Sequence, residues 1–142
     1  MSDLSNLVQW FESIRLEDVP TVGGKNASLG EMFREMSSQG VRVPNGFALT
    51  VQAYYGVVKA PNVWMALHEQ MDGLDGRDVN VLAARAAEAR RIVYEAAGID
   101  ALADTVAQAY SKLEDQYGAN VAVAVRSSAT AEDLPSASFA GQ

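Results

Sequence analysis

The sequence has no cysteine and a single histidine, His68, among its 142 residues. Disulfide bonds and thiolate chemistry are therefore excluded, and the absence of cysteine fits a reducing compartment. His68 has no second histidine and no cysteine with which to hold a metal ion. We interpret it as a partly exposed helix residue.

The sequence also lacks long apolar runs and an excess of basic residues. No stretch approaches the ~18 apolar residues of a membrane span, and the N-terminus has neither the basic nor the apolar region of a signal peptide. Its 18 Asp and Glu outnumber its 11 Lys and Arg, for a net charge of −7. Nucleic-acid and anionic-membrane surfaces need clustered Lys and Arg. We therefore predict a cytoplasmic protein that binds neither nucleic acids nor membranes.

The apolar residues, 49% of the chain, are sufficient for a core at this length. Residues 7–14 and 47–50 are short and apolar and predict two strands, and residues 15–22 predict a loop. Apolar residues at helical spacing predict further helices that begin at Gly23, Val51 and Asn62. Two more helices are predicted, the first capped by Asp78 or Asn80 and the second by Asp100. The predicted fold class is α/β (α+β), a small sheet packed with helices.

Residues 121–125 read VAVAV, a β-branched run that predicts a strand buried on both faces. The run ends at Arg126, and three small hydroxyl residues follow it, Ser127, Ser128 and Thr130. One guanidinium with several hydroxyls at a strand end can donate hydrogen bonds to an anion. On composition alone, a solvated loop is an equally good interpretation. The three hydroxyls are secondary candidate donors that the sequence does not rank.

A second cation lies in Gly23-Gly24-Lys25, directly before a predicted helix. The unpaired N–H groups and the positive dipole end of a helix start favour phosphate. The segment is not a P-loop, which needs glycine at position 19 and Ser or Thr at position 26. Taken alone, a flexible turn with a solvated lysine is the commoner interpretation.

The adjacent carboxylates Glu132 and Asp133 are candidate magnesium ligands. Adjacent carboxylates before Leu-Pro more often form a solvated turn, and we favour that interpretation. We therefore assign no metal ligand within the chain.

Three segments carry a family pattern. Residues 22–32 read VGGKNASLGEM, residues 41–47 read VRVPNGF, and residues 125–142 read VRSSATAEDLPSASFAGQ. Together they resemble the N-terminal part of the phosphoenolpyruvate synthase (pyruvate, water dikinase) family, whose wider group includes pyruvate phosphate dikinase and rifampicin phosphotransferase. The last segment is the most specific, and residues 25–32 favour the synthase.

The resemblance implies an ATP-grasp-like nucleotide-binding domain, of which residues 1–142 would be the N-terminal portion. It implies that Lys25 and Arg126 hold ATP phosphates as catalytic and binding residues, and that Gly141 belongs to a loop closing over them. In this family a phosphoryl group passes from ATP to a histidine on a separate swivelling domain, and from there to pyruvate. The implied partners are ATP, pyruvate and that phosphohistidine domain.

The resemblance also implies parts of the family that have no counterpart in this sequence. These are the second half of the ATP-binding domain with its Mg²⁺ carboxylates, the phosphohistidine domain and the pyruvate-binding barrel. We expect Gln142 to be a boundary within a longer protein, and the chain alone to be inactive. Two alternatives remain: the ATP-binding part of a rifampicin-phosphotransferase-like enzyme, and a stand-alone non-catalytic module that binds a nucleotide or a partner protein.

Overall fold

The computed structural model describes residues 6–131, which are mainly helical. The elements in chain order are β1 (Val8–Trp10), a 3-10 turn (Leu16–Asp18), α1 (Val19–Val22), α2 (Gly24–Ser38), β2 (Phe47–Leu49), α3 (Val51–Val58), α4 (Pro61–Met71), α5 (Val79–Tyr94) and α6 (Gly98–Tyr117). The described residues form two compact units: one combines residues 6–53 with residues 105–131, and the other is Tyr54–Asp104. No helix in the described part of the chain is long and apolar enough to cross a membrane.

The two strands lie in the first unit and form an antiparallel pair. Val8 lies opposite Leu49, and Trp10 lies opposite Phe47 with the ring centroids 5.6 Å apart. A two-stranded sheet is marginal by itself, and here Ala48 of β2 is buried in a cluster with residues from the neighbouring helices. The prediction of a small sheet packed with helices is confirmed.

The core of the first unit is centred on Ile14, which is 0% exposed. It packs with Val22, Ala27 and Ala48. Gly30 of α2 lies directly against it, since a Cβ on Gly30 would be 2.6 Å from the Ile14 Cβ. The absence of a side chain at position 30 therefore sets how closely α2 approaches the turn after β1.

The segment before α2 is more ordered than the predicted loop. The Asp18 carboxylate accepts a hydrogen bond from the Arg15 N–H at 2.7 Å, closing the 3-10 turn. Pro20 lies in the first turn of α1, where a missing N–H is tolerated. The prediction of a loop over residues 15–22 is therefore wrong, because local capping and proline chemistry favour short helical turns.

The second unit is built from helices, as predicted. Val57, Val63 and Ala96 form its buried cluster. The Asp78 carboxylate accepts hydrogen bonds from two N–H groups of the first turn of α5, both at 3.1 Å. Of the two residues predicted as caps, Asp78 and Asn80, the structure therefore shows Asp78. The prediction that Asp100 caps the next helix is wrong, because α6 already begins at Gly98.

His68 is exposed on α4. Its ring packs on Trp64 with the centroids 4.4 Å apart, and its Nδ1 lies 2.9 Å from the Trp64 carbonyl oxygen. The interpretation of His68 as an exposed helix residue is confirmed.

Residues 121–125 are not the buried strand that the sequence predicted. Val123 is 50% exposed and Val125 is 94% exposed. A strand requires a hydrogen-bonded neighbour, and no part of residues 6–131 pairs with this segment. The Tyr110 hydroxyl donates to the Val121 carbonyl at 2.8 Å and holds the start of the segment.

The contact between Gly30 and Ile14 predicts the effect of Gly30→Ala. The new Cβ would overlap a fully buried side chain, and we expect the free energy of unfolding to fall by about 1–3 kcal/mol. Gly56→Ala is the matched control: it is also a helix glycine, but a Cβ there meets nothing within 4 Å. Because alanine favours helices, stability should be unchanged or higher. Urea unfolding measures both, and equal midpoints for Gly30→Ala and the unmodified chain would contradict the packing described.

Candidate functional site

Lys25 and Arg126, the two cations singled out in the sequence, line one surface depression of about 310 Å³. Its other lining residues, Ser28, Leu29 and Met32, lie with Lys25 at helical spacing on one face of α2. Arg126 comes from the segment after α6, which has no regular secondary structure. The fold of the first unit thus brings together two basic residues from distant parts of the chain.

The electrostatic character of this depression favours an anion. Its described lining holds two cations and one hydroxyl and no carboxylate. Lys25 lies in the first turn of α2, where the helix dipole also favours negative charge. Both cations are exposed, so their attraction for an anion is screened by salt beyond ~8–10 Å. The arrangement is suited to an anion with oxygen atoms spread over more than one group.

Gly23 and Gly24 hold the segment after Arg126 against the start of α2. The Gly24 N–H donates to the Ala129 carbonyl at 3.2 Å. A Cβ on Gly23 would lie 2.2 Å from the Ser128 Oγ and 2.9 Å from the backbone N and O of Ala129. The φ angle of Gly23 is +83°, in the left-handed region that glycine favours. A residue without a side chain is therefore needed for this approach.

This contact changes the interpretation of Gly23-Gly24. The sequence allowed either unpaired N–H groups suited to phosphate or a flexible turn with a solvated lysine, but both glycines are buried. The first N–H of a helix has no acceptor within the helix, and the Ala129 carbonyl supplies one for Gly24. The sequence gives one indication that another part of the chain supplies this acceptor. Gly23 occupies the N-cap position of α2 and has no side chain that could cap the helix.

The three hydroxyls that the sequence left unranked occupy different environments. The Ser128 Oγ is fully buried and has no hydrogen-bond partner within the described residues. A ligand cannot reach it in this arrangement. Ser127 and Thr130 are exposed. Ser128 therefore belongs to the packing of the segment on Gly23, and the other two remain candidate donors.

Several candidates from the sequence lie outside residues 6–131, namely Gly141, Glu132 and Asp133. Within the described range, no group of three or more His, Cys, Asp or Glu side chains could hold a metal ion. The described site residues fit phosphate oxygens, and they supply no ligand set for Mg²⁺.

A larger depression of about 620 Å³ lies along the C-terminal half of α2. Its described lining includes Phe33, Val41, Pro44 and Tyr117, and Arg42 is the one charged side chain among the described lining residues. The smaller depression is the candidate site because it combines two cations.

Comparisons with known proteins identify a matching family and several related sequences. Residues 19–142 match the family described as pyruvate phosphate dikinase, AMP/ATP-binding domain. The phosphoenolpyruvate synthase of Neisseria meningitidis serogroup B is 46% identical over 138 residues, which are 96% of this chain and 17% of that protein. That of Escherichia coli K12 is 44% identical over 140 residues, 97% of this chain and 17% of that protein. The chain thus spans about a sixth of the length of these curated relatives.

The buried Ser128 hydroxyl predicts an unusual response to truncation. Ser128→Ala removes a buried polar group without a described partner, so stability should be unchanged or higher by up to about 1 kcal/mol. Ser127→Ala, next to it and exposed, is the control and should have no effect. Thermal unfolding of both variants measures this. A clear loss of stability in Ser128→Ala alone would show that its Oγ makes a hydrogen bond in solution.

Proposed function

The chain belongs to the pyruvate phosphate dikinase AMP/ATP-binding domain family, and on that basis we propose that it forms the phosphate-binding portion of the ATP-binding domain of a phosphoenolpyruvate-synthase-like phosphotransferase. The proposed overall reaction converts ATP, pyruvate and water into phosphoenolpyruvate, AMP and phosphate. One observation carries the proposal: Lys25 and Arg126, far apart in sequence, line one depression that has no described carboxylate.

Each cation has a distinct role in this proposal. The Lys25 ammonium is a compact charge at the start of α2, and it neutralises one phosphate group beside the helix dipole. The Arg126 guanidinium is planar and donates two parallel hydrogen bonds to two phosphate oxygens. Phosphoryl transfer is accelerated mainly by positioning and by stabilising charge on the transferring group. Both residues supply such stabilisation.

The remaining parts of the reaction are assigned to a longer protein. The Mg²⁺ ligands, the second half of an ATP-grasp-like domain, the phosphorylated histidine and the pyruvate site have no candidate among the described residues, and the curated relatives are about six times as long as this chain. Gly141, by resemblance, belongs to the loop that closes over the phosphates. His68 packs on Trp64 and receives no catalytic role. The chain alone is proposed to be inactive.

The phosphoryl acceptor is the point at which the proposal and its nearest alternative differ. A rifampicin-phosphotransferase-like enzyme would use the same phosphate-binding residues with an antibiotic as acceptor. The relatives compared above are named phosphoenolpyruvate synthases, which supports pyruvate.

The site assignment predicts which cations bind a polyphosphate. Tripolyphosphate, added to the isotope-labelled chain, should shift the NMR signals of Gly24, Lys25 and Arg126. Lys25→Gln and Arg126→Gln should each weaken binding on the order of tenfold, the value of one hydrogen bond to a charged group. Lys59→Gln is the control, because the Lys59 ammonium lies over the Tyr55 ring in the other unit. Equal affinities for all three variants would refute the site.

The different chemistry of the two cations predicts how well each tolerates replacement by the other in the full-length protein. Arg126→Lys should reduce turnover on the order of 10²-fold, because an ammonium cannot reproduce the two-oxygen contact. Lys25→Arg should retain more activity, since a point charge is replaced by another cation. Steady-state turnover and ATP affinity measure the effect, and a melting curve excludes unfolding. Near-normal turnover of folded Arg126→Lys would remove Arg126 from the site.

A further inference from the structure

The position of Arg126 is set by contacts on either side of it in the chain. Its own segment is exposed, as the 94% exposure of Val125 shows. On the N-terminal side, the described hydrogen bond is from the Tyr110 hydroxyl to the Val121 carbonyl. On the C-terminal side, the Ala129 carbonyl accepts from the Gly24 N–H.

The lengths of these two connections decide which contact matters more. An extended chain spans at most ~3.3–3.6 Å per residue. The three residues from Arg126 to Ala129 therefore reach about 10 Å, whereas the five residues back to Val121 reach about 17 Å. The contact of Ala129 with Gly24 is thus the tighter restraint on Arg126. It is also made on the residue next to Lys25.

We propose that Gly23 is a positioning residue of the phosphate site: its missing side chain lets residues 128–129 close on the start of α2, and this closure holds Arg126 within reach of the same anion as Lys25. The inference rests on the proposed function and specifies its ligand. An anion that spans both cations needs the closure, and a single phosphate group, which one cation can hold, does not. Gly23 therefore determines the preference for polyphosphate over orthophosphate.

The geometry explains why even alanine would open this contact. The Ser128 Oγ, 2.2 Å from a Cβ at position 23, could rotate away, but the Ala129 backbone N and O, both at 2.9 Å, cannot. Residues 128–129 would have to withdraw from α2. The Gly24 N–H would then lose its acceptor, because a helix offers none to its first N–H.

Gly23→Ala tests this contact directly, and Gly40→Ala is a comparison at another glycine with positive φ, +80° against +83°. Because Gly23 also has a ψ of 162°, a conformation almost restricted to glycine, Gly23→Ala adds backbone strain of its own, and a second variant with no new side chain at position 23 separates the contact from that strain. A Cβ at Gly40 meets nothing within 4 Å. The readouts are hydrogen exchange at the Gly24 amide and NMR affinities of the 142-residue chain for tripolyphosphate and orthophosphate. In Gly23→Ala, the Gly24 amide should lose its protection from hydrogen exchange. The affinity for tripolyphosphate should fall on the order of tenfold, while the affinity for orthophosphate should be unchanged. Gly40→Ala should change none of these.

A second variant keeps the contact and lengthens the connection. Two glycines inserted between Arg126 and Ser127 leave Gly23, Ser128 and Ala129 intact, so folding does not depend on a new side chain at position 23. The Gly24 amide should remain protected from hydrogen exchange. The preference for tripolyphosphate over orthophosphate should fall as it does in Gly23→Ala. This variant therefore tests positioning even if Gly23→Ala does not fold.

The outcomes distinguish this inference from the function on which it rests. Unchanged tripolyphosphate affinity in folded Gly23→Ala or in the insertion variant would overturn it, as would an equal loss in Gly40→Ala. If tripolyphosphate does not shift Lys25 and Arg126 in the unmodified chain, the proposed function fails. In that case, hydrogen exchange at the Gly24 amide still tests whether residues 128–129 close on the start of α2. Retained protection of this amide in Gly23→Ala would show that the closure does not depend on Gly23.

Discussion

The approach of Ala129 to the start of α2 is the contact on which the candidate site depends. It is possible because Gly23 has no side chain, and Ala27 and Gly30 share with Gly23 the buried side of the helix start. Gly23 admits the segment after Arg126, and Gly30 admits the backbone and side chain of Ile14. The opposite side presents Lys25 and Ser28 to solvent. Residues 22–32 thus combine a face of small residues for close packing with a basic face for an anion.

This division explains how an acidic chain offers an anion site. The net charge is −7, but over distances longer than ~8–10 Å the effect of exposed charges is screened at physiological salt. The local field in the depression is set by Lys25, Arg126 and the helix start. The two cations are brought together by backbone packing, which does not depend on the flexible side chains themselves. Such preorganisation is what a phosphoryl-transfer site requires.

The sequence was informative where structure is determined locally. Helical spacing located α2 and α5, Asp78 was one of two residues predicted to cap α5, and the two cations of the depression were both singled out. The prediction of a buried strand at residues 121–125 was wrong. Their β-branched composition favours an extended conformation, but a strand also needs a partner strand that no local pattern reveals. The role of Gly23 was missed for the same reason, since Ser128 and Ala129 are distant in sequence. Gly141 stays a prediction, because it lies outside the described residues.

The segment following Arg126 lies on the start of α2, and a spin label can test this contact directly. The chain has no cysteine, so Ser127→Cys provides a single attachment point for a nitroxide spin label at an exposed position. Paramagnetic broadening of amide NMR signals then reports which residues lie near the label. If residues 128–129 lie on α2, broadening is expected to be strong at Gly24, Lys25 and Ser28, in addition to the sequence neighbours of position 127. Broadening confined to those sequence neighbours would contradict it.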